Sequence, residues 1–528
     1  MIRFKDVTYA YPNGTTVLNN VDLHIGRGER LAIVGDNGSG KTTLALLING
    51  VLRVSSGSIS VDGLDPSRNE DNLKLKHKVG LVFQNPDNQL VSTTVEREVA
   101  FSLENMNVAF DDMQNRVDRM LDFFGLNKFR KKLTSDLSGG EKQRLALAAV
   151  MVAEPDILIL DEPGSYLDQT GKNLLNNAVD HLLADKPDLT VLRITQYSDE
   201  AALYNRLLVF RDGRIAADGN PDDIFRKADR RESIGVSIPL KYRIDRKSDT
   251  DAESQGEYKT PEKGSCDRLA IELDSVSFSY NDGNNNMLFD KLKLRLESGR
   301  VYGLVGPSGS GKTTLVQLMA GLLKPDSGKV NYEGFEAEPG RMAVSFQQPE
   351  RQFFLDTVEA EIRFGAENLE LPEIESITER CYYLTGLDRE IYSGRNPFSL
   401  SGGEKRKLAF GTILSLQPSF IFFDEPTCGL DWPGVIKFRR LVGQLREGGI
   451  GIVIISHFGD VILNLADEVI VLKNGRIDMI KSREDFFMGY DYSEYLSTPD
   501  LLAYQLENMG EVKYLSEAEL LSNKYDSR

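Results

Sequence analysis

Apolar and polar positions alternate with a period of two near the start of the chain, in I-R-F-K-D-V-T-Y at residues 2–9, and again in I-E-L-D-S-V-S-F-S-Y at 271–280. Such alternation predicts half-buried strands. Each is followed by a short unbroken apolar run, L-A-I-V-G at 31–35 and Y-G-L-V-G at 302–306, which predicts a fully buried strand leading into a glycine-rich turn and a helix. Later, L-L-V-F-R-D-G-R-I (207–215) and V-I-V-L-K-N-G-R-I (469–477) place Asp-Gly and Asn-Gly between strand-like runs. These dipeptides supply two consecutive positive φ angles and predict tight hairpins. The pattern describes one α/β domain with added antiparallel strands, written twice.

The repeat is explicit in the polar motifs. G-D-N-G-S-G-K-T-T at 35–43 recurs as G-P-S-G-S-G-K-T-T at 306–314, L-S-G-G-E-K at 137–142 recurs at 400–405, and L-D-E-P-G-S-Y-L-D at 160–168 recurs as F-D-E-P-T-C-G-L-D at 423–431. The offset is 271 residues for the first motif and 263 for the others, so the second copy is eight residues shorter between them. A chain of 528 residues suits two domains, each with its own core. The expected divisions are 1–230 for the first, 231–268 for a linker, 269–485 for the second and 486–528 for a short helical extension. Residues 245–265 contain no Ile, Leu, Val, Phe or Met and read as a solvated tether. As a flexible coil it would span roughly 25 Å on average, which permits two domains to face one another.

Charge and cysteine usage narrow the classes. A formal charge of -17 argues against broad affinity for nucleic acid. Cys266, Cys381 and Cys428 form neither a disulfide framework nor a metal-binding CxxC. The start M-I-R-F-K-D-V lacks an apolar targeting core, and no stretch approaches the ~18 apolar residues of a membrane span. The expectation is a protein of a reducing cytoplasm that is soluble or reaches a membrane only through a partner.

G-x-x-x-x-G-K-[ST] after a strand is a phosphate loop, in which glycines let successive backbone N–H groups face phosphate oxygens and the following helix adds its positive end. Gly35, Asp36, Asn37, Gly38, Ser39, Gly40, Lys41, Thr42 and Thr43 form the first loop, and Gly306, Pro307, Ser308, Gly309, Ser310, Gly311, Lys312, Thr313 and Thr314 the second. Lys41 and Lys312 would neutralise phosphate charge, and Thr42 and Thr313 offer hydroxyls to Mg²⁺, which prefers oxygen ligands. Apolar strands ending in two acids, I-L-I-L-D-E at 157–162 and F-I-F-F-D-E at 420–425, supply Asp161 and Asp424 for the metal. Glu162 and Glu425 follow to polarise the attacking water.

With L-S-G-G-E beside these motifs, the chain from about residue 2 to 480 resembles the ATP-binding cassette (ABC) ATPases. The resemblance implies two P-loop NTPase domains, each a RecA-like parallel-sheet core with an antiparallel β subdomain and a helical subdomain carrying L-S-G-G. It further implies an intramolecular head-to-tail dimer with two composite ATP sites, each phosphate loop facing Ser401, Gly402 and Gly403, or Ser138, Gly139 and Gly140, of the other copy. Tyr11 and Tyr280, at the end of the second strand-like stretch of each copy, match the aromatic that stacks on adenine. Gln84 and Gln347 match the glutamine that touches Mg²⁺, and Asp168 and Asp431 the loop that crosses between cassettes. His457, in I-S-H-F-G-D-V (455–461), matches the switch histidine at the γ-phosphate, whereas I-T-Q-Y-S-D-E (194–200) carries Gln196 there, an amide that donates a hydrogen bond but cannot take up a proton or a charge. Both sites are therefore expected to bind MgATP, with the second hydrolysing faster.

V-F-Q-N-P-D-N-Q at 82–89 and S-F-Q-Q-P-E-R-Q at 345–352 add a narrower resemblance, to the ATPases of energy-coupling factor (ECF) transporters, which import vitamins or metal ions. It implies a peripheral place on the cytoplasmic face of the cell membrane, partnered by a transmembrane coupling subunit and a substrate-binding membrane subunit. Asp87 and Glu350 would then meet the coupling subunit. A twin-cassette ATPase of ribosomes or DNA is the rival reading, disfavoured by the scattered cysteines and short linker. In a fused sugar importer one cassette usually lacks a catalytic acid, and both Glu162 and Glu425 are present here.

Overall fold

A computed structural model describes the chain except residues 13, 165–166, 168, 229–232, 245–268, 281–286, 518 and 521–528. The tether expected at 245–265 and the loop residues Tyr166 and Asp168 lie outside the described residues. The chain divides into two compact units, residues 1–243 with 431–433 and residues 244–430 with 434–528.

In the first unit the strands are β1 (Ile2–Ala10), β2 (Thr16–Ile25), β3 (Arg30–Gly35), β4 (Ser56–Val61), β5 (Val79–Val82), β6 (Ile157–Asp161), β7 (Thr190–Ile194), β8 (Arg206–Arg211) and β9 (Arg214–Gly219). The alternating stretches form an antiparallel sheet in the order β2-β1-β4. The unbroken apolar runs form a six-stranded sheet, β5-β6-β7-β3-β8-β9, parallel except for β9. Asp212 (φ 49°) and Gly213 (φ 73°) make the hairpin turn between β8 and β9, as Asp-Gly predicts.

The second unit repeats the plan with β10 (Ala270–Ser279), β11 (Met287–Glu297), β12 (Val301–Val305), β13 (Ser327–Glu333), β14 (Met342–Ser345), β15 (Phe420–Asp424), β16 (Gly451–Ile455), β17 (Glu468–Lys473) and β18 (Arg476–Ser482). Its sheets run β11-β10-β13 and β14-β15-β16-β12-β17-β18.

Burial on both faces explains why these parallel strands read as continuous apolar runs rather than alternations. Leu31, Ile33, Leu192, Ile194 and Leu208 pack toward the antiparallel sheet, with Leu44 and Leu47 of the helix after the phosphate loop (Lys41–Ile48). Ala32, Val34, Val191, Leu207 and Val209 face the other way, in one cluster with Leu145 and Leu147 of the signature helix, Gly139–Met151. In sheet order β6, β7 and β3 are neighbours, so the residues that follow their carboxyl ends meet in one crevice. The same holds for β15, β16 and β12.

Candidate nucleotide-binding sites

Each phosphate loop begins where a strand end presses against its neighbour. A Cβ at Gly35 (φ 149°) would fall 2.2 Å from the Phe210 carbonyl oxygen, and one at Gly306 (φ 148°) 2.0 Å from that of Leu472, so only glycine fits. The loop then folds over its own lysine. Lys41 Nζ donates to the carbonyls of Gly35 (2.7 Å) and Asp36 (2.9 Å), and Lys312 Nζ to those of Gly306 (2.8 Å) and Pro307 (2.9 Å). Burial pushes the Lys41 ammonium below its usual range, with Glu162 and Asp161 pulling the other way. Inside the loops, the buried hydroxyls of Ser39 and Ser310 have no hydrogen-bond partner among the described residues. Two orphaned donors in two glycine-rich cradles fit an acceptor-only ligand such as a phosphate.

Asp161 and Asp424 end β6 and β15, both buried. Thr313 donates its hydroxyl to Asp424 Oδ2 at 2.8 Å, and Thr42 donates to Asp161. Burial pushes Asp161 up to about 6 against these opposing partners, and raises Asp424 as well. A threonine hydroxyl beside a desolvated carboxylate is a donor set that suits a hard divalent cation, whose charge would reverse those shifts.

The next residues depart from ordinary backbone. Glu162 (φ 47°) and Glu425 (φ 49°) are left-handed, and their N–H groups donate to the Ile194 and Ile455 carbonyls at 3.0 Å. Holding a non-glycine residue there costs about 1–3 kcal/mol and turns each side chain across the crevice. In the first cassette Glu162 is clamped by two amides: Gln84 Nε2 donates to Oε2 and Gln196 Nε2 to Oε1, both at 2.8 Å. Gln196 also reaches Asn37 Oδ1 at 3.2 Å. Burial, and then Asp161, push Glu162 up to about 7. In the second cassette His457 Nε2 stands 3.6 Å from Glu425 Oε1, and its Nδ1 donates to the Tyr495 carbonyl at 3.3 Å.

Gln196 sits on a buried ionic support that the second copy lacks. Arg193 pairs with Glu200 at 2.8 Å and donates to Asn176 at 2.8 Å, while Thr195 donates to Glu200 at 2.6 Å. Burial works to raise the Glu200 carboxyl, but Arg193 and Lys172 outweigh it and hold it low. Ile454, Ser456 and Val461 stand at the positions of Arg193, Thr195 and Glu200 in the second copy.

Tyr11 and Tyr280 each directly follow the first strand of their cassette, β1 and β10, rather than a second one. Their hydroxyls lie 3.3 Å from Thr43 Oγ1 and 2.9 Å from Thr314 Oγ1, which tethers each ring beside its phosphate-loop helix. Ser138 and Ser401 cap the signature helices, Gly139–Met151 and Gly402–Leu414, each within a full capping box with Glu141 or Glu404. Gly139 and Gly140, and Gly402 and Gly403, form the first turns. Arg406 on the second of these helices donates to the carbonyls of Phe346 (2.9 Å) and Gln347 (2.7 Å), tying the glutamine loop to the signature helix. Asp87 pairs with Lys142 at 2.6 Å and Glu350 with Lys405 at 3.3 Å.

A contribution absent from the motif reading comes from the segments after each cassette. S-I-G-V-S-I-P at 233–239 recurs as S-E-Y-L-S-T-P at 493–499. Ser233 donates to Asp36 at 2.5 Å, and Ser237 and Ser198 hydroxyls meet at 3.1 Å. Two serines and a proline at fixed spacing were the only sequence signal.

A phosphate cradle after the central strand, acids at the end of β6 or β15 and a switch residue after β7 or β16 define a P-loop nucleotide hydrolase of the cassette type, built twice. The family model described as ABC transporter matches residues 18–165 and 289–428. The chain belongs to this family: it is an ATP-binding, ATP-hydrolysing ABC protein with two fused cassettes. It is 30% identical to an ABC transporter ATP-binding protein, provisionally named, of Caldanaerobacter subterraneus over 98% of both chains. It is 29% identical to the Bacillus subtilis protein YkoD, provisionally named for HMP/thiamine import, over 89% of this chain and 90% of that one. Among solved structures, cbiO1 from Clostridium perfringens, part of the ABC transporter complex cbiONQ, is 36% identical over 43% of this chain and 90% of its own, with a TM-score of 0.39.

Proposed function

We propose that the protein is the ATPase of an ECF-type importer, coupling MgATP binding and hydrolysis to uptake of a vitamin or metal ion through membrane subunits. The observation that carries this reading is an exposed apolar trio at equivalent positions of the two cassettes: Val51, Val91 and Phe101 in the first, Leu322, Phe354 and Phe364 in the second. In the second cassette these three line a groove with Met342 and Leu416, and the rings of Phe354 and Phe364 meet edge to face at 4.7 Å. Exposed apolar patches of this kind mark interaction surfaces. Asp87 and Glu350, four residues before Val91 and Phe354, would offer acids to a basic partner. Among the described residues no helix is long and apolar enough to cross a membrane, so transport requires partners.

In this reading Lys41 or Lys312 binds phosphate, and Thr42, Asp161 and Gln84, or Thr313, Asp424 and Gln347, hold Mg²⁺, which would neutralise charge between the phosphates. Glu162 and Glu425 orient water, and Tyr11 and Tyr280 support adenine. Each site would be completed by Ser401, Gly402 and Gly403, or by Ser138, Gly139 and Gly140, of the other cassette. The second site, with His457, turns over faster than the first, with Gln196. The test is tagged expression in the native host. Recovery from membranes with a small multi-span subunit supports the importer, and sedimentation with ribosomes instead overturns it.

A further inference from the structure

The seven residues 493–499 after the second cassette are bonded to the loop that carries His457. The Tyr495 carbonyl accepts from His457 Nδ1, the Ser497 N–H donates to the His457 carbonyl at 3.0 Å, and the Gly459 N–H donates to Ser497 Oγ at 3.1 Å. Asp500 N–H adds a contact to the Asp460 carboxylate at 3.3 Å. The approach is close: a Cβ on Gly459 would fall 2.1 Å from the Ser497 carbonyl oxygen. A carbonyl only accepts, so the bond requires the Nδ1 proton and leaves Nε2 as the atom facing Glu425.

This segment is itself anchored. Tyr495 is 3% exposed, stacks on Tyr490, and receives a hydrogen bond on its hydroxyl from Lys473 at 3.2 Å, at the end of β17. Tyr492 packs on Phe486 and Phe487. The repeat in the first cassette makes a different attachment: a Cβ on Gly235, the counterpart of Tyr495, would fall 2.1 Å from the Gly35 carbonyl carbon, so that segment lies on the phosphate loop. Both copies of the segment touch the loop of the switch residue, the first through the Ser237 and Ser198 hydroxyls at 3.1 Å, and the second adds the carbonyl bond to the switch side chain itself.

We propose that Tyr495 is a positioning residue for the second site: its carbonyl, held in place by the ring, fixes the Nδ1–H tautomer and rotation of His457 and thereby sets the rate of ATP hydrolysis there. This rests on the reading of the second site as the faster hydrolytic one. A shift of about 1 Å in a positioned group can cost on the order of 100-fold in rate without loss of substrate binding.

The experiment compares Tyr495→Ala with Tyr495→Phe in the full chain by steady-state ATPase. Tyr495→Ala is expected to lower kcat about 10- to 100-fold with the KM for ATP within about twofold, and Tyr495→Phe to retain most of kcat. In a His457→Ala background Tyr495→Ala should lower kcat no further; a multiplied loss, or an unchanged kcat in Tyr495→Ala alone, overturns the proposal. Nitrogen-15 histidine spectra give a readout independent of turnover. The chain has four histidines, and His457→Ala identifies the signal. A protonated Nδ1 in the parent chain that is lost in Tyr495→Ala supports the proposal, and an Nε2–H tautomer in the parent overturns it. If His457→Ala leaves kcat intact, the hydrolytic reading of the site fails while the spectra still judge whether Tyr495 positions His457. Should Tyr495→Ala not fold, Ser497→Ala takes its place, with the same expected outcomes.

Discussion

Gln196 and Glu162 are joined by a 2.8 Å hydrogen bond from Nε2 to Oε1, whereas His457 and Glu425 stand 3.6 Å apart. The first contact ties up the carboxylate oxygen that a catalytic base would turn to water, and Gln84 holds the other. A doubly clamped carboxylate suits a site that holds nucleotide better than it spends it. Glu425→Gln is therefore expected to lower steady-state ATPase about tenfold or more, and Glu162→Gln much less. Equal losses would remove the asymmetry. Gln196→His in the Glu425→Gln background should raise the residual rate.

The ionic support behind Gln196 yields a stability prediction. Breaking a buried pair from one side leaves an uncompensated charge and costs about 3–5 kcal/mol, whereas replacing both members by apolar residues is often neutral. Glu200→Gln, which leaves Arg193 buried without its anion, should lower the unfolding temperature of the first cassette in calorimetry. Arg193→Ile with Glu200→Val, the residues of the second copy, should recover most of the loss. A single-variant melt equal to that of the parent would show that Arg193 is carried by Asn176 and its other neighbours.

Gly35, Lys41, Asp161 and Ser138 were legible in the sequence because each backbone or charge requirement admits few residue types, and the types recur at fixed spacing. The clamp on Glu162 was not, since it depends on three side chains from separate loops and on a φ of 47° at a glutamate, which no residue type signals. Tyr495 was still less accessible because its contact is made by a backbone carbonyl, which every residue has.

The raised carboxyls of the first site set a pH dependence. Glu162 takes up a proton at about 7 in the folded chain, against 4.5 for its ordinary value, because its charge is buried. Between those values the folded state binds more protons than the unfolded, so stability falls as pH rises. The penalty is absent below about 4.5 and complete above about 7. Without nucleotide, Glu162→Gln should unfold at a higher temperature than the parent at pH 8, with the difference closing by pH 4.5. A difference that is constant across this range would show that Glu162 is neutral or solvated throughout.

The apolar trios give the last prediction. In an isolated chain Phe354 and Val91 are exposed, and an aspartate there costs little folding energy because water already surrounds the site. Buried under a partner, the same aspartate would be an unpaired charge in an apolar contact, which costs several kcal/mol. Val91→Asp and Phe354→Asp should each leave the melting temperature within about 2 °C of the parent. Each should also cut recovery of the membrane subunit in co-purification by tenfold or more. The two need not be equal: Phe354 packs on Phe364 in a groove, and the larger ring should anchor more of the contact. Undiminished recovery with both variants would place the partner elsewhere on the cassettes and remove the observation on which the importer reading stands.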